Sequence, residues 1–437
     1  MNSESRISEI LRSESPSLEA GELTAYVRSF VEQRDTFLRI RQTHGSPLYV
    51  FDASALRERA RRFTETFQAF FTDFCSYYAV KSNNHPAVAK SLVASGFGLD
   101  VSSGLELDLA LKCGCTDILF SGPGKTDAEL RQAVNHAGVV TLLVDSFSEL
   151  ERLEGIAREH RGCIRAGVRL TTEETGLWRK FGIPLGSLRQ LLEHTQMCPH
   201  VDLCGLQFHT SWNRDPSAQV AFIGRIGKRL KQLPTMLRSA LKFLDIGGGF
   251  WPSRGEWLQP AATQAGRLRQ VLSPDIRPSL EHYKLPAQPI EIFAKEIAAA
   301  MATHIFPLVS CQLRTEPGRW LSDDAMHLLL TVADKKAEDL VITDGGTNTI
   351  GWERFESDYA PVINLSRPSE VEHACLVFGS LCTPHDVWGY GYFGDGIEPG
   401  DVLLIPGQGA YTYSLRQKFI KPIARVVPGL ETDGSVP

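Results

Sequence analysis

Apolar residues in the first part of the chain recur at helical spacing. Ile7, Ile10 and Leu11 share one face, as do Leu23, Tyr26, Val27, Phe30 and Val31. This predicts one or two amphipathic helices, stopped by Gly45-Ser46-Pro47. Leu48 to Phe51 then reads as a strand. From Asp52 to about Phe306 the pattern alternates. Strand-like runs lie at 76–80, 98–102, 117–121, 139–145, 162–170, 203–209 and 241–246. Longer helical stretches, such as 86–94, 104–112, 127–136 and 146–158, lie between them. Repeated strand–helix units imply a parallel sheet with right-handed crossovers. About eight of them would close a TIM-type (β/α)8 barrel of roughly 250 residues. Periodicity alone leaves an open doubly wound sheet as the alternative. From Pro307 the character changes to short apolar runs (308–313, 327–333, 340–343, 374–378, 402–405) separated by turn residues, which predicts a mainly β C-terminal domain. The expected division is therefore a helical segment 1–46, a barrel 47–306 and a β domain 307–437 that strand 47–52 joins. The tail after Pro428 is polar and expected to fray.

Composition narrows the class. The chain has 437 residues, more than one ordinary core accommodates. Hydrophobic residues make up 43% and charged residues 22%, as is ordinary for a soluble globular protein. A formal net charge of −5 argues against nucleic acid as the main partner. Nine scattered cysteines contain no Cys-x-x-Cys pair, which argues against a disulfide framework and a structural zinc site, so no metal is expected. Most of them read as buried small hydrophobes. Met1 to Ser15 lacks the apolar stretch of a signal peptide, and no segment has the length of a membrane span. A cytoplasmic protein with no membrane partner is expected.

The candidate chemistry starts at Lys81. It follows the apolar run Tyr77-Tyr78-Ala79-Val80 and precedes Ser82-Asn83. At the C-terminal end of a barrel strand, a crowded lysine can lose its proton and attack a carbonyl. A lone lysine at a loop start is more often solvent-exposed. Gly247, Gly248 and Gly249 follow the strand ending at Ile246, where backbone N–H groups can approach an anion closely. Arg314-Thr315-Glu316-Pro317-Gly318-Arg319 offers a carboxylate and an arginine, and its bland reading is a surface ion-pair loop. His209, Arg169, Asp100 and Glu106 sit at strand ends or helix starts, where charged groups are commonly structural.

Taken together and in order, these motifs resemble the fold-type III pyridoxal-phosphate decarboxylases, the family of the diaminopimelate, ornithine and arginine decarboxylases on an alanine-racemase-like barrel. The resemblance runs from about Pro47 to Ile420. It implies pyridoxal 5'-phosphate attached to Lys81, with Gly247, Gly248, Gly249, Gly318 and Arg319 at the phosphate. It implies Glu316 against the pyridine nitrogen, His209 stacked on the ring, and Arg169 and Asp100 nearby. Lys180-Phe181-Gly182 matches a further family motif. The family serine three residues after this histidine is replaced by Trp212, leaving Ser211 or Thr210 to substitute at the phosphate. Cys382 matches the family cysteine that reaches across from the partner subunit to protonate the substrate carbanion, and Tyr411, in Gly409-Ala410-Tyr411, matches a tyrosine near the phosphate. A homodimer with shared active sites follows from that resemblance.

Thr383 stands where diamine-forming members carry Asp or Glu for the substrate's distal amine, and Asp386 is the candidate to replace it. The expected substrate is a small-molecule amino acid: a diamino acid such as diaminopimelate, ornithine or lysine, or a modified or carrier-linked amino acid, toward which Thr383 and Trp212 lean. An amino-acid racemase is the rival on the same fold. Racemases of this fold set an arginine against the ring nitrogen, and Glu316 favours decarboxylation. A non-catalytic regulatory homologue is the rival of another class, and the presence of both Lys81 and Cys382 argues against it.

Overall fold

The computed structural model describes residues 3–12, 16–272, 280–351 and 357–429. The tail expected to fray, from residue 430 on, lies outside the described residues, as do parts of the first fifteen. The chain divides into two compact units.

The first unit comprises Leu56–Ser253 and Ala287–Leu321. Its strands are β1 (Phe74–Ala79), β2 (Gly98–Val101), β3 (Ile118–Phe120), β4 (Val140–Val144), β5 (Ile164–Thr171), β6 (Val201–Phe208), β7 (Phe243–Asp245) and β8 (Gln312–Thr315). Every neighbour pair is parallel, β4 pairs with β5, and β8 pairs with both β7 and β1. The eight strands therefore close a barrel in sequence order, and the open-sheet alternative is excluded. Between strands run α1 (Pro86–Ala94), α2 (Gly104–Lys112), α3 (Asp127–Asn135), α4 (Phe147–Glu159), α5 (Leu188–His194), α6 (Ser217–Lys231), α7 (Thr235–Arg238) and α8 (Ile290–His304). Four of them start on side-chain caps just past a strand end: His85, Ser103, Thr126 with Glu129 in a capping box, and Ser146. The interior is plugged by Tyr77, Leu119, Leu143, Cys204 and Phe243. A Cβ on Gly205 would run into the Phe243 ring, so this glycine is what admits the aromatic plug.

Several expectations need correction. The apolar run at 308–313 belongs to the barrel, not to the β domain, because 312–315 supplies the closing strand β8. The break expected at 306 falls instead after Leu321. The barrel is also interrupted, since 254–286 leaves it for the other unit. Four of the nine cysteines, not most, are buried.

The second unit comprises Met1–Ala55, Arg254–Pro286 and Ser322–Pro437. It is built on an eight-stranded sheet in which Leu48–Phe51 pairs antiparallel with 326–329 and parallel with Arg425–Pro428. The N-terminal helices Ala20–Val31 and Arg34–His44 are not a separate segment. They bury Leu23, Val27, Phe30, Phe37 and Ile40 in one core with Leu48, Leu329, Ile363 and Leu404. In the inserted 254–286 stretch, Glu256–Leu258 pairs with Tyr283–Leu285.

Candidate active site

The C-terminal ends of the barrel strands collect the charged and glycine-rich motifs. The strand β1 passes directly into a 3-10 turn, Val80–Ser82, which carries Lys81. Its side chain is 37% exposed, and Nζ lies 2.9 Å from Oδ2 of Asp100. Asp100 is fully buried on β2, register-paired to Ala79. Its other oxygen accepts a 2.6 Å hydrogen bond from Ser121, just past β3. Glu106 turns back to accept from the Ser102 N–H at 2.7 Å, a helix-start role.

Glu316 follows β8, the strand next to β1, and is almost fully buried. Gln207 of β6 donates to it at 3.1 Å. Burial, with Asp100 and Asp245 nearby, pushes this carboxyl well above its ordinary value, against the pull of Lys81 and Arg169. Asp245 ends β7 and is fully buried. Burial raises it to about 7, offset in part by the Gly247 N–H, which it accepts at 2.8 Å, and by Arg314.

The glycines have physical reasons. Gly247 and Gly249 take φ of 66° and 79°, and a Cβ on Gly248 would meet the Glu316 carbonyl oxygen. Their backbone is held by the Glu316 N–H to Gly247 O (2.8 Å) and the Asn213 N–H to Gly249 O (2.9 Å). Gly318 approaches the lysine turn, where a Cβ would stand 3.0 Å from the Ser82 Cβ. Arg319 sets its guanidinium over Trp251, 4.5 Å from the ring centroid.

His209 follows β6. The Gly248 N–H donates to its Nδ1 at 3.1 Å, so the ring proton sits on Nε2, 3.1 Å from Ser211 Oγ. Burial, then Lys81 and Arg169, holds its pKa well below the ordinary value, so the ring is neutral. Ser211 is thereby engaged by His209. Arg169, on β5, stacks over Phe181 at 4.3 Å and lies 4.0 Å from Asp145, whose other oxygen accepts the Gly182 N–H at 2.9 Å. Trp212 adopts φ 52° and is 62% exposed.

The remaining expected residues belong to the second unit. Cys382 is exposed and Thr383 half-buried, in the loop after Glu372–Phe378. Tyr411 adopts φ 55° and is half-buried. Asp386 requires a correction. It is buried, and its carboxylate accepts from Thr347 N (2.7 Å), Thr347 Oγ1 (2.9 Å) and Leu381 N (2.6 Å). It shapes the loop that carries Cys382 and Thr383 and has no oxygen open to a substrate ammonium.

Sequence reasoning passed over Ser121, Gln207 and Asp245. Gln207 is signalled by its place two residues before His209 on one strand face, and Asp245 by preceding the glycine triplet. Ser121 gave no signal beyond a strand end. Gln207 Oε1 and Asp245 Oδ2 are buried without a hydrogen-bond partner among the described residues. Such a donor and acceptor set fits a phosphorylated pyridine aldehyde: an amine for the aldehyde, a buried carboxyl for the ring nitrogen, and a glycine cradle with an arginine for the phosphate. Among the described residues no cluster could hold a metal ion, and no helix is long and apolar enough to cross a membrane.

A family model described as pyridoxal-dependent decarboxylase, pyridoxal binding domain, matches residues 53–323. Diaminopimelate decarboxylase of Aquifex aeolicus is 25% identical over 446 residues, covering 95% of each chain. The L-glutamyl-[BtrI acyl-carrier protein] decarboxylase of Niallia circulans is 24% identical, covering 84% of this chain and 85% of that one. Among solved structures, diaminopimelate decarboxylase from Helicobacter pylori complexed with L-lysine superposes with a TM-score of 0.74 at 23% identity, covering 91% of this chain and 94% of that one, a likeness of fold.

Proposed function

We propose that this chain, which belongs to the pyridoxal-dependent decarboxylases, carries pyridoxal 5'-phosphate on Lys81 and removes carbon dioxide from an amino acid presented as a modified, carrier-linked derivative. The observation that carries the first part is Lys81 Nζ held 2.9 Å from buried Asp100, at the same barrel end as buried Glu316. When bound, the cofactor supplies an electron sink for the pair left on Cα as carbon dioxide departs.

The chain supplies position and protons. Asp100 holds Nζ, and Ser121 orients Asp100. Burial and two neighbouring carboxyls disfavour the charge of Glu316 and favour a proton there, which it would share with a ring nitrogen. The backbone of Gly247 to Gly249 with Gly318 and Arg319 receives the phosphate. His209, neutral and fixed by Gly248 and Ser211, offers a flat face to the ring. Cys382 of the partner subunit returns a proton to Cα, and Tyr411 stands by the phosphate, which makes the working form a homodimer. All nine cysteines are free thiols, which supports a reducing, cytoplasmic setting.

Two features support the substrate class. Thr383 has no charge for a distal ammonium, and Asp386 has no free oxygen. The Niallia circulans relative, by its name, acts on a carrier-bound glutamyl group. Glu316 in place of an arginine weighs against racemisation.

Borohydride treatment followed by peptide mapping tests the attachment. The visible absorbance of the loaded protein should vanish and a pyridoxyl mass should appear on Lys81; a label on another lysine, or none, would overturn it. Carbon dioxide release from free lysine, ornithine and diaminopimelate against L-glutamyl thioesters tests the substrate class. Faster release from the free diamino acids would sink the carrier-linked reading and leave Lys81 untouched.

A further inference from the structure

Between Pro216 and Leu244 the chain contains no Asp or Glu and six basic residues, Arg225, Lys228, Arg229, Lys231, Arg238 and Lys242. This is out of keeping with a chain that carries 51 acidic and 46 basic residues. The stretch folds into α6, α7 and the approach to β7. One side of α6 buries Phe222, Ile223, Ile226 and Leu230, and the opposite side exposes Arg225, Lys228 and Lys231. Lys242 is exposed as well.

None of the six forms an ion pair with a carboxylate among the described residues. Arg225 donates to Thr172 O (3.1 Å), Arg229 to Gln232 (3.2 Å) and Gly186 O, Arg238 to Thr235 (3.3 Å), and Lys242 to Ser239 O (3.3 Å). Several surface arginines elsewhere do pair: Arg28 with Glu370, Arg61 with Glu58 and Glu65, Arg62 with Glu291, Arg131 with Glu159, Arg152 with Asp127. An uncompensated cationic face on a chain of net charge −5 is a directed field, and it attracts an acidic partner.

Its place in the fold relates it to the active site. The helix α6 begins four residues after Asn213, whose N–H binds Gly249 O at the mouth of the barrel. Its fifteen residues run about 22 Å along the barrel wall. Arg225 ties it to Thr172, the residue after β5. Lys228 and Lys231 lie in the last turns of α6 and Lys242 directly precedes β7, so they sit toward the opposite barrel end. A partner there must reach about one helix length to the strand ends that carry His209 and the glycine cradle.

We propose that this face docks the acidic carrier domain that presents the substrate. The inference rests on the carrier-linked reading above. A bilayer fits the surface less well, because Met236 is its one exposed large apolar side chain and the apolar row of α6 faces the core. The test uses the loaded enzyme, its K228E/K231E/K242E variant and the milder K228Q/K231Q/K242Q variant. The probes are an L-glutamyl acyl-carrier protein and L-glutamyl-S-pantetheine, which has the same acyl group and arm without the protein. Charge reversal should lower kcat/KM on the carrier-linked substrate about tenfold or more and neutralisation by less, with the pantetheine substrate unaffected and the difference shrinking as salt rises. Equal activity of wild type and both variants on the carrier-linked form, or parallel losses on both substrates, overturns the proposal.

Anisotropy of the fluorescently labelled carrier keeps the surface separate from the chemistry. Binding that the reversal variant loses supports the surface even if neither thioester turns over, in which case it is the substrate reading that fails. No binding, binding that the variant retains, or binding of labelled duplex DNA or phosphatidylserine vesicles in its place overturns the surface.

Discussion

Asp245 and Glu316 show how burial sets chemistry one residue at a time. Both are carboxyls at the ends of neighbouring strands, and both are shielded from water, so each is pushed toward its neutral form. For Asp245 the consequence for stability has a definite sign. An unfolded chain releases this proton near 3.8, and the folded chain holds it to about 7. Between those values the native state binds the extra proton, so the contribution of Asp245 to stability declines as pH rises and levels off above the window. An Asp245→Asn variant has no such proton. Urea denaturation of the cofactor-free proteins, stepped from about pH 4 to about pH 7, should therefore show wild type losing stability relative to the variant. A difference that does not change with pH would contradict the assignment. His209 is the complementary case, a ring kept neutral by burial and by the cations Lys81 and Arg169.

Among the elements, the loops that follow β3, β4 and β5 are held by a buried polar network behind the site. Lys125, after β3, pairs with Glu149 in the first turn of α4 at 2.6 Å and donates to Gly122 O at 2.6 Å. Both side chains are buried. Burial lowers the lysine and raises the glutamate, so the pair has been driven some way toward neutrality and is held together by its mutual attraction. Removing one partner leaves a buried charge alone. Lys125→Met is expected to destabilise the protein by about 3–5 kcal/mol, whereas Lys125→Met with Glu149→Leu should recover most of that loss. The two urea midpoints decide the matter: a double variant as unstable as the single one would show that packing, not charge, dominates here.

For the whole molecule, the division of the motifs matters. Lys81, His209, the glycine cradle and Glu316 belong to the barrel unit, and Cys382 and Tyr411 to the other. If each working site combines Lys81 of one subunit with Cys382 of the partner subunit, Lys81→Ala and Cys382→Ala proteins are each inactive alone. Mixed and allowed to exchange subunits at equal concentration, they should regain about a quarter of wild-type activity, because half the dimers hold one intact site of two. No recovery after subunit exchange, shown by tagged subunits, would place both residues in one subunit's site. The unit boundaries also tell against a simple two-segment chain, since the barrel is left at Arg254 and rejoined at Ala287.

The sequence by itself determined whatever depends on local order. Strand–helix alternation was sufficient to predict a parallel sheet of βα units, because each unit buries its own apolar face, whereas closure into a barrel is decided by the pairing of β8 with β1. The ends of α1, α2 and α3 agree with the predicted stretches to within a residue, since Pro86, Ser103 and Thr126 start them locally. Lys81, Gly247 to Gly249 and Glu316 stood out because each follows its own strand, but the roles expected of them came from the ordered resemblance to a family and not from their positions alone. Tertiary structure alone decided what depends on contacts between distant segments. The closing strand β8 read as part of the β domain because its neighbours β7 and β1 are far away in sequence. The helices before Leu48 read as a separate segment because the sheet that covers them comes later. Asp386 read as a substrate ligand until Thr347 and Leu381 were seen to take its oxygens. Ser121 and Gln207 acquire meaning only through Asp100 and Glu316, their partners on other strands. The basic run from Arg225 to Lys242 was in the sequence from the start, but that its charges lack carboxylate partners among the described residues is a property of the fold.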